Sequence, residues 1–351
     1  MEKELKTIKF ILGMFFVVLM TYLIGLFSSI VIPLTVAIFV GLLLQPILEW
    51  FKSKKVPYAI SLLLVLVIFF LAITGIGRVI SSTGQAFYAE KNELAVQIND
   101  KLQGIKVLLQ IIPGVDMEDR TVKEVFNDFI SMEWILQSTK SVAGTIGDFT
   151  GALFMTLIYL VAVLGGILNY KKYISYLSGE SERGGQMVKS FEKVQTSLIS
   201  YLKVKTLISL GTGTGFWLIC MLFGIKFAIF WGFLAFLLNF IPTFGSIVAT
   251  IPPALMGIIQ LSGFGELASF LLLLATVQVI FGNIIEPKIM GSTLSLNTVT
   301  VILGLVFWGY LWGAVGMILS VPLMVLIKII LSQIPDAQFF VRLMGEPEKS
   351  D

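Results

Sequence analysis

Long apolar runs are the feature that most constrains what this chain can fold into. Four runs approach or exceed the ~20 apolar residues that a helix needs to cross a bilayer: Phe10–Phe27, Ile60–Ile80, Leu153–Leu168 and Leu267–Phe281. Charged residues make up only 13% of the chain, whereas a soluble protein carries roughly 25%. We therefore expect an all-α polytopic membrane protein with the lipid bilayer as its surroundings.

The composition also excludes several classes of function. The chain has no histidine and one cysteine, Cys220. Histidine-dependent hydrolysis, the HExxH zinc motif and a disulfide within one chain are therefore excluded. The net charge of +3 is scattered along the chain, which argues against a nucleic-acid partner. We expect no enzyme activity, no cofactor and no metal site.

The basic residues predict the orientation, because cytoplasmic loops carry the excess of Lys and Arg. They precede the first span and follow the second, at Lys3, Lys6, Lys9, Lys52, Lys54 and Lys55. The stretch 81–145 has nine acidic and six basic residues, which indicates the outer side. The stretch 169–205 has seven basic and three acidic residues, which indicates the cytoplasm. On this pattern both termini are cytoplasmic.

Both polar stretches show the periodicity of amphipathic helices. In 81–145 apolar residues recur three or four positions apart, at Leu94, Ile98, Leu102, Ile105, Leu109 and Ile112, and a second helix begins near Val122. In 169–205 the same spacing is found at Phe191, Val194, Leu198 and Leu202. Such a helix lies in the membrane interface or packs on other helices, and the pattern allows either.

The C-terminal third contains two apolar blocks that are too long for one span. Residues 227–261 are interrupted by NFIPTFGS, and residues 298–331 by WGYLWGAVG. A single transmembrane helix needs about 17–25 residues, so each block predicts a helix–break–helix hairpin, either re-entrant or crossing twice. The expected organisation is transmembrane helices 1–3 in 1–80, an extracytoplasmic insert in 81–145, a fourth span in 146–168, a cytoplasmic linker helix in 169–205, a C-terminal membrane core in 206–335 with both hairpins, and a cytoplasmic tail in 336–351.

Glu286, in the stretch NIIEPKIMG, is the first candidate site residue. An ionisable side chain at membrane depth is costly and indicates function by default. Pro287 cannot continue helical hydrogen bonding, which frees a carbonyl near Asn283. Asn283 lies three residues before Glu286, on the same face of a regular helix, and Gln278 lies further back. In a second interpretation, Glu286 and Lys288 are ordinary charges at a helix end near water.

The break inside the first block is the second candidate. Asn239 and the Pro242–Gly245 interruption leave backbone groups that protein or a water-filled cavity must satisfy, and broken helices hold substrates in many transporters. The alternative is a simple turn between two membrane helices. The predicted substrate-binding residues are Asn239, Phe240, Pro242, Phe244, Gly245, Gln278, Asn283, Glu286, Pro287 and Trp308, with Glu286 also as the ion-binding residue.

Three C-terminal stretches together carry a family resemblance: FAIFWGFLAFLLNFIPTFGSIVATIPPAL, FGNIIEPKIMGSTLSL and WGYLWGAVGMILSVPLMVLIKI. With these stretches the chain resembles the autoinducer-2 exporter family. The resemblance implies a bacterial inner-membrane protein with about eight membrane segments and a polar insert after the third. The family positions fall on Asn239, Pro242, Gly245, Glu286, Pro287, Gly291, Gly316 and Pro322. Ser246, Asn297 and Asn169 stand where many members have proline, proline and an acidic residue.

Three functions remain open on this basis. The resemblance implies export of a small polar solute, autoinducer-2 above all. Other members of the family are linked to sodium or lithium/proton antiport, which needs a membrane carboxylate for which proton and cation compete, and Glu286 is the candidate. A scaffold acting through the 81–145 insert is the third. Glycines four residues apart, such as Gly309 and Gly313, permit a homo-oligomer, for which a pentamer is our expectation.

Overall fold

The computed structural model describes residues 2–109, 151–166, 176, 182–242, 244–290, 296–334 and 337–345. Every regular element in these ranges is helical. The helices are α1 (Glu2–Leu26), α2 (Ser28–Ser53), α3 (Tyr58–Leu109), α4 (Gly151–Gly166), α5 (Glu182–Leu222), α6 (Ala228–Leu238), α7 (Phe244–Gln260), α8 (Phe264–Gln278), the π-helix Val279–Ile285, α9 (Glu286–Met290), α10 (Thr298–Ser332) and α11 (Gln338–Met344).

Five helical stretches in these ranges are long and apolar enough to cross a membrane: Ser28–Ser53, Tyr58–Leu94, Val188–Leu222, Phe264–Ile289 and Thr298–Ser332. Ile11–Leu26, Gly151–Gly166, Ala228–Leu238 and Phe244–Gln260 are shorter apolar helices. The all-helical membrane architecture expected from the apolar runs is thus confirmed for the described residues. The insert beyond residue 109, with the helix expected near Val122, lies outside them, as do Asn169, Gly291 and the end of the tail.

α3 is the longest helix and joins two stretches that the sequence divides. It runs for 52 residues without interruption, or about 78 Å at 1.5 Å per residue. The hydrocarbon core of a bilayer is only about 30 Å thick, so the second half of α3 projects out of it. The predicted boundary at residue 80 is a change of polarity and not of structure, because no proline interrupts the helix there and the glycines nearby do not stop it.

α5 likewise continues through a predicted boundary. The linker helix expected to end at residue 205 and the span expected to begin at 206 form one helix of 41 residues. Leu198 and Leu202 are 2% and 6% exposed, and they pack in a core cluster with Trp308 and Trp312. Of the two interpretations of this amphipathic stretch, packing on other helices is the one that the structure favours.

Both long C-terminal blocks are broken near their middle. In the first, α6 ends at Leu238 and α7 begins at Phe244. In the second, Gly313 has φ 62° and ψ −141°, a conformation that glycine adopts at little cost. The helical segments before and after Gly313 pack side by side and run antiparallel. A Cβ on Gly309 would lie 2.9 Å from Met317 Cγ, and a Cβ on Gly304, further from the break, would lie 2.4 Å from Met324 Cγ. The chain therefore reverses direction at Gly313.

Among the described residues, the buried apolar side chains form three clusters, each of which includes α2 or α5. One joins α2, the first half of α5 and α10. A second joins the end of α5 to α6, α7, α8 and Leu94 of α3. The third joins α2, α3 and α4. α5 thus passes from one cluster to the next, and the polar residues between its two apolar ends are held inside the protein.

Candidate functional site

A line of buried polar side chains lies on α5. Lys205, Ser209 and Thr212 are 3%, 0% and 1% exposed. Their spacing of four and three residues puts them on one helical face, and we call this set the polar stripe. Leu202 precedes it and Phe216 follows it on the same face, and both are buried. The stripe is therefore a polar interruption in an otherwise apolar packing surface.

Lys205 forms an ion pair with Glu286. The Lys205 Nζ donates to Glu286 Oε1 at 2.5 Å, with the two side chains 3% and 23% exposed. A buried ammonium is strongly unfavourable without a partner, and removal of one member of such a pair leaves the other uncompensated. The pair therefore holds α5 against the start of α9 and leaves the site without net formal charge.

The π-helix directly before Glu286 sets the direction of this side chain. The Glu286 backbone N–H donates to the Phe281 carbonyl, five residues back, as in a π-helix. In a regular α-helix the ring of Pro287 would clash with the carbonyl of Asn283, and the wider turn relieves that clash. Such widened turns occur often at functional sites.

Asn239 reaches the polar stripe from the first helix break. Its Nδ2 donates to Ser209 Oγ at 3.0 Å, and Asn239 itself is 4% exposed. The break closes tightly, because a Cβ on Gly245 would lie 1.8 Å from the Leu238 carbonyl oxygen. Glycine at 245 thus allows the chain to turn directly after Asn239, which keeps the amide at the end of α6 and against α5.

The stripe brings the two candidate sites of the sequence together. Glu286 contacts Lys205, and Asn239 contacts Ser209. These two α5 residues are one turn apart, about 6 Å along the helix axis. Two interrupted helices therefore present an amide and a carboxylate to neighbouring positions of a third helix. A hydroxyl-bearing molecule at this place would meet donors and acceptors at short spacing.

The remaining predicted residues divide into buried and exposed ones. Phe240 and Pro242 are half-buried and Gly245 is buried at the first break, where Phe240 packs edge-on against Phe236 at 5.5 Å. Trp308 is buried, but in the cluster with Tyr201 and Trp312. Phe244, Asn283 and Pro287 are exposed. We expected Asn283 to share a face with Glu286. In the structure the π-helix changes the register between them, so Asn283 is exposed while Glu286 is half-buried.

Gln278 lies on α8, half-buried, and its Oε1 atom is buried without a hydrogen-bond partner among the described residues. A buried amide oxygen without a donor is unfavourable. It is therefore an acceptor that a bound solute or a water molecule could use. Within the described ranges there is no cluster of three or more Asp, Glu, Cys or His side chains that could hold a metal ion.

Sequence reasoning missed Lys205 and Ser209. Lys205 counted as a cytoplasmic charge at the end of the linker helix, and Ser209 carried no signal by itself. The spacing held the necessary information, because the apolar positions Leu198 and Leu202 continue to 205, 209 and 212 with steps of three and four. A lysine in such a row requires a buried acidic partner.

Comparison with known proteins identifies the class. The sequence model of the AI-2E family transporter matches residues 10–336, nearly the whole chain. The chain therefore belongs to this family of membrane transporters.

Individual relatives agree with this assignment. The AI-2 transport protein TqsA of Escherichia coli (strain K12) is 29% identical over 326 residues, which cover 92% of this chain and 91% of TqsA. A protein of Haemophilus influenzae, named as a candidate transport protein, is 29% identical over 350 residues, 99% of each chain. The similarity thus extends over full-length proteins that are named for transport, one of them with its solute.

Proposed function

We propose that this chain exports a small polar solute across the bacterial inner membrane, and that the solute is autoinducer-2. The observation that carries the proposal is the polar stripe, which two interrupted helices reach with Asn239 and Glu286. In transporters, interrupted helices of this kind hold substrates within the membrane. Both termini would lie in the cytoplasm, as the basic residues predict. The homo-oligomer, with a pentamer as our expectation, stays a prediction.

The chemistry of the stripe suits a hydroxyl-rich solute. Each hydroxyl group can donate one hydrogen bond and accept two. Ser209 and the Asn239 amide offer both donors and acceptors, and the Lys205–Glu286 pair adds a strong donor and a strong acceptor without net charge. A neutral solute would exchange hydrogen bonds with these groups and lose little by desolvation. The similarity to TqsA, named for transport of AI-2, supports autoinducer-2 as the solute.

Sodium or lithium/proton antiport is the alternative function. A cation site requires a negative charge that is free to bind the ion. In this structure the carboxylate of Glu286 is paired with the Lys205 ammonium, and a cation would have to displace it. The ion pair therefore favours solute export over antiport. A scaffold function would not need polar groups of this kind inside the membrane.

Flux measurements on purified protein in liposomes test the proposal. Liposomes loaded with autoinducer-2 should release it faster with the wild-type protein than without protein. Replacement Asn239→Ala should slow the release at least several-fold, because the solute loses a buried partner. The matched control Asn92→Ala removes the same side chain from an exposed position on α3 and should leave the rate unchanged.

The same liposomes distinguish the alternative. Internal pH is followed after a sodium or lithium gradient is imposed, with wild type and Glu286→Gln. Autoinducer-2 release without a pH response supports the exporter. A sodium-dependent pH change that Glu286→Gln abolishes, with no release of autoinducer-2, would replace export by antiport.

A further inference from the structure

A second polar feature lies on α5, on the turns between Glu192 and Lys203. It is a cavity of about 500 Å³ between α2 and α5. Its polar lining includes Gln45 and Glu49 of α2 together with Glu192, Gln195, Ser200 and Lys203 of α5. A volume of this size is within the range of pockets that hold small molecules. None of these residues contributes to the polar stripe.

The wall of the cavity is organised by a short chain of hydrogen bonds. The Gln195 Nε2 donates to Gln45 Oε1 at 2.6 Å, and the Gln45 Nε2 donates to Glu49 Oε1 at 2.7 Å. Gln195 is 8% exposed, so its amide belongs to the interior, whereas Glu49 and Lys203 lie at the exposed rim. Because each amide is held by the next group, the wall presents fixed donors and acceptors before any ligand arrives.

The lining indicates the chemical class of the ligand. Amides and hydroxyl groups on the wall can each donate and accept, and carboxylates at the rim accept strongly from hydroxyl groups. A polyhydroxylated molecule has donors and acceptors on every oxygen and can use such a wall throughout. An anionic ligand would meet the carboxylates of Glu49 and Glu192, which outnumber the one ammonium in the lining, that of Lys203, and an apolar ligand would leave the amides unsatisfied.

The position of the cavity relates it to the polar stripe. Gln195 and Lys205 are ten residues apart on one continuous helix, about 15 Å along its axis. Tyr201, which is 4% exposed, and the buried Leu198 and Leu202 lie on the turns between them. The cavity also adjoins the end of α2, where Lys52, Lys54 and Lys55 predict the cytoplasmic side.

We infer that this cavity is the cytoplasmic loading site, where a small neutral polyhydroxylated solute binds before it passes Tyr201 to the polar stripe. The inference rests on the proposed function for the identity of the solute. The cavity supplies the first partners for the hydroxyl groups, and the packed turn around Tyr201 separates it from the ion pair.

Cysteine protection measures occupancy of the cavity without measuring transport. Cys220, the sole cysteine of the sequence, is first replaced by alanine. Ser200→Cys in this Cys220→Ala protein then provides one thiol in the cavity. A membrane-impermeant thiol reagent should label it. With autoinducer-2 at about ten times its half-protecting concentration, labelling should slow about tenfold. Arg342→Cys, exposed on α11 and not among the residues that line the cavity, should be labelled at a rate that autoinducer-2 does not change.

A second variant tests the amide wall. Gln195→Leu in the Ser200→Cys background should abolish the protection while the reagent still labels the thiol. If autoinducer-2 fails to protect Ser200→Cys although the Cys220→Ala protein releases it from liposomes, the loading site is wrong and the proposed function stands. If it protects the thiol but is not released, the cavity binds the solute and the export function is wrong.

Discussion

Glycines of α3 lie in open space, whereas glycines of α5 and α6 bring helix backbones into direct contact. A Cβ on Gly75, Gly77 or Gly84 would meet no heavy atom of the described residues within 4 Å. A Cβ on Gly213 would lie 2.7 Å from the Gly232 carbonyl oxygen, and one on Gly232 would lie 2.7 Å from the Gly213 carbonyl oxygen. The second arrangement is the small-residue packing by which membrane helices approach closely.

This difference separates the closely packed pair α5 and α6 from the more open α3. In the span window of Tyr58–Leu94 only 11% of the residues are buried, against 39% in that of Val188–Leu222. Within a bilayer, close packing and interhelical hydrogen bonds replace the hydrophobic effect as the source of helix association. The polar stripe therefore lies in the region where positions are best defined, while α3 presents its apolar faces outward.

Replacement Gly245→Ala, in the closely packed region, should cause the largest loss of stability. The new methyl group would overlap the Leu238 carbonyl oxygen, which lies 1.8 Å from the Cβ position, and backbone atoms cannot move aside as a side chain can. We expect a loss of about 3 kcal/mol or more in unfolding free energy, measured by thermal or denaturant unfolding in detergent micelles.

The matched control for Gly245→Ala is Gly84→Ala on α3, where the methyl group meets open space. It should leave stability unchanged or raise it by about 0.5–1 kcal/mol, because alanine is the better helix former. Equal destabilisation by both substitutions would show that the contrast between the two regions does not exist in solution.

Replacement Lys205→Met should have the next largest effect. It leaves Glu286 without its partner next to a buried face, so we expect a loss of about 3 kcal/mol. The double variant Lys205→Met/Glu286→Leu should recover most of that loss, since no uncompensated charge remains, and it should still fail to release autoinducer-2. Lys288→Met removes an exposed lysine two residues after Glu286 and should match wild type in both unfolding and flux.

Lys226→Met should have the smallest effect, at a contact that joins the two regions. The Lys226 Nζ lies 3.0 Å from Glu90 Oε2 and 3.1 Å from Glu93 Oε1 of α3. The contact with Glu90, and to a smaller extent that with Glu93, raises the pKa of Lys226 above its ordinary value. Because the pKa is raised, the contribution is complete below the ordinary pKa of lysine and is lost as the pH rises through the raised pKa of the folded protein. A partly exposed ion pair contributes under about 1 kcal/mol.

Hydrogen exchange of the α3 segment 85–101 measures this contact. Exchange should be faster in Lys226→Met than in wild type near pH 8, and added salt should reduce the difference because it screens exposed charges. Equal exchange rates in the two proteins would mean that the apolar contacts of Leu94, and not the ion pairs, hold α3 in place.

Much of the fold could be predicted from apolar length and from glycine and proline. The breaks after Leu238 and at Gly313 lie where these residues interrupt long apolar blocks. The continuity of α3 and α5 was not predictable from polarity, because a helix continues wherever nothing stops it, in lipid or in water. The sequence indicated Asn239 and Glu286 as candidates but not their partners on α5, since pairing across helices depends on tertiary packing.

The Lys205–Glu286 pair also has a consequence for the membrane potential. Moving one unpaired elementary charge through 100 mV changes the free energy by about 2.3 kcal/mol. As long as Lys205 and Glu286 stay in contact, α5 and α9 move together, and the pair carries no net charge across the field. A rearrangement of these helices that preserves the pair would be nearly independent of voltage, so an energised membrane would neither drive nor block it.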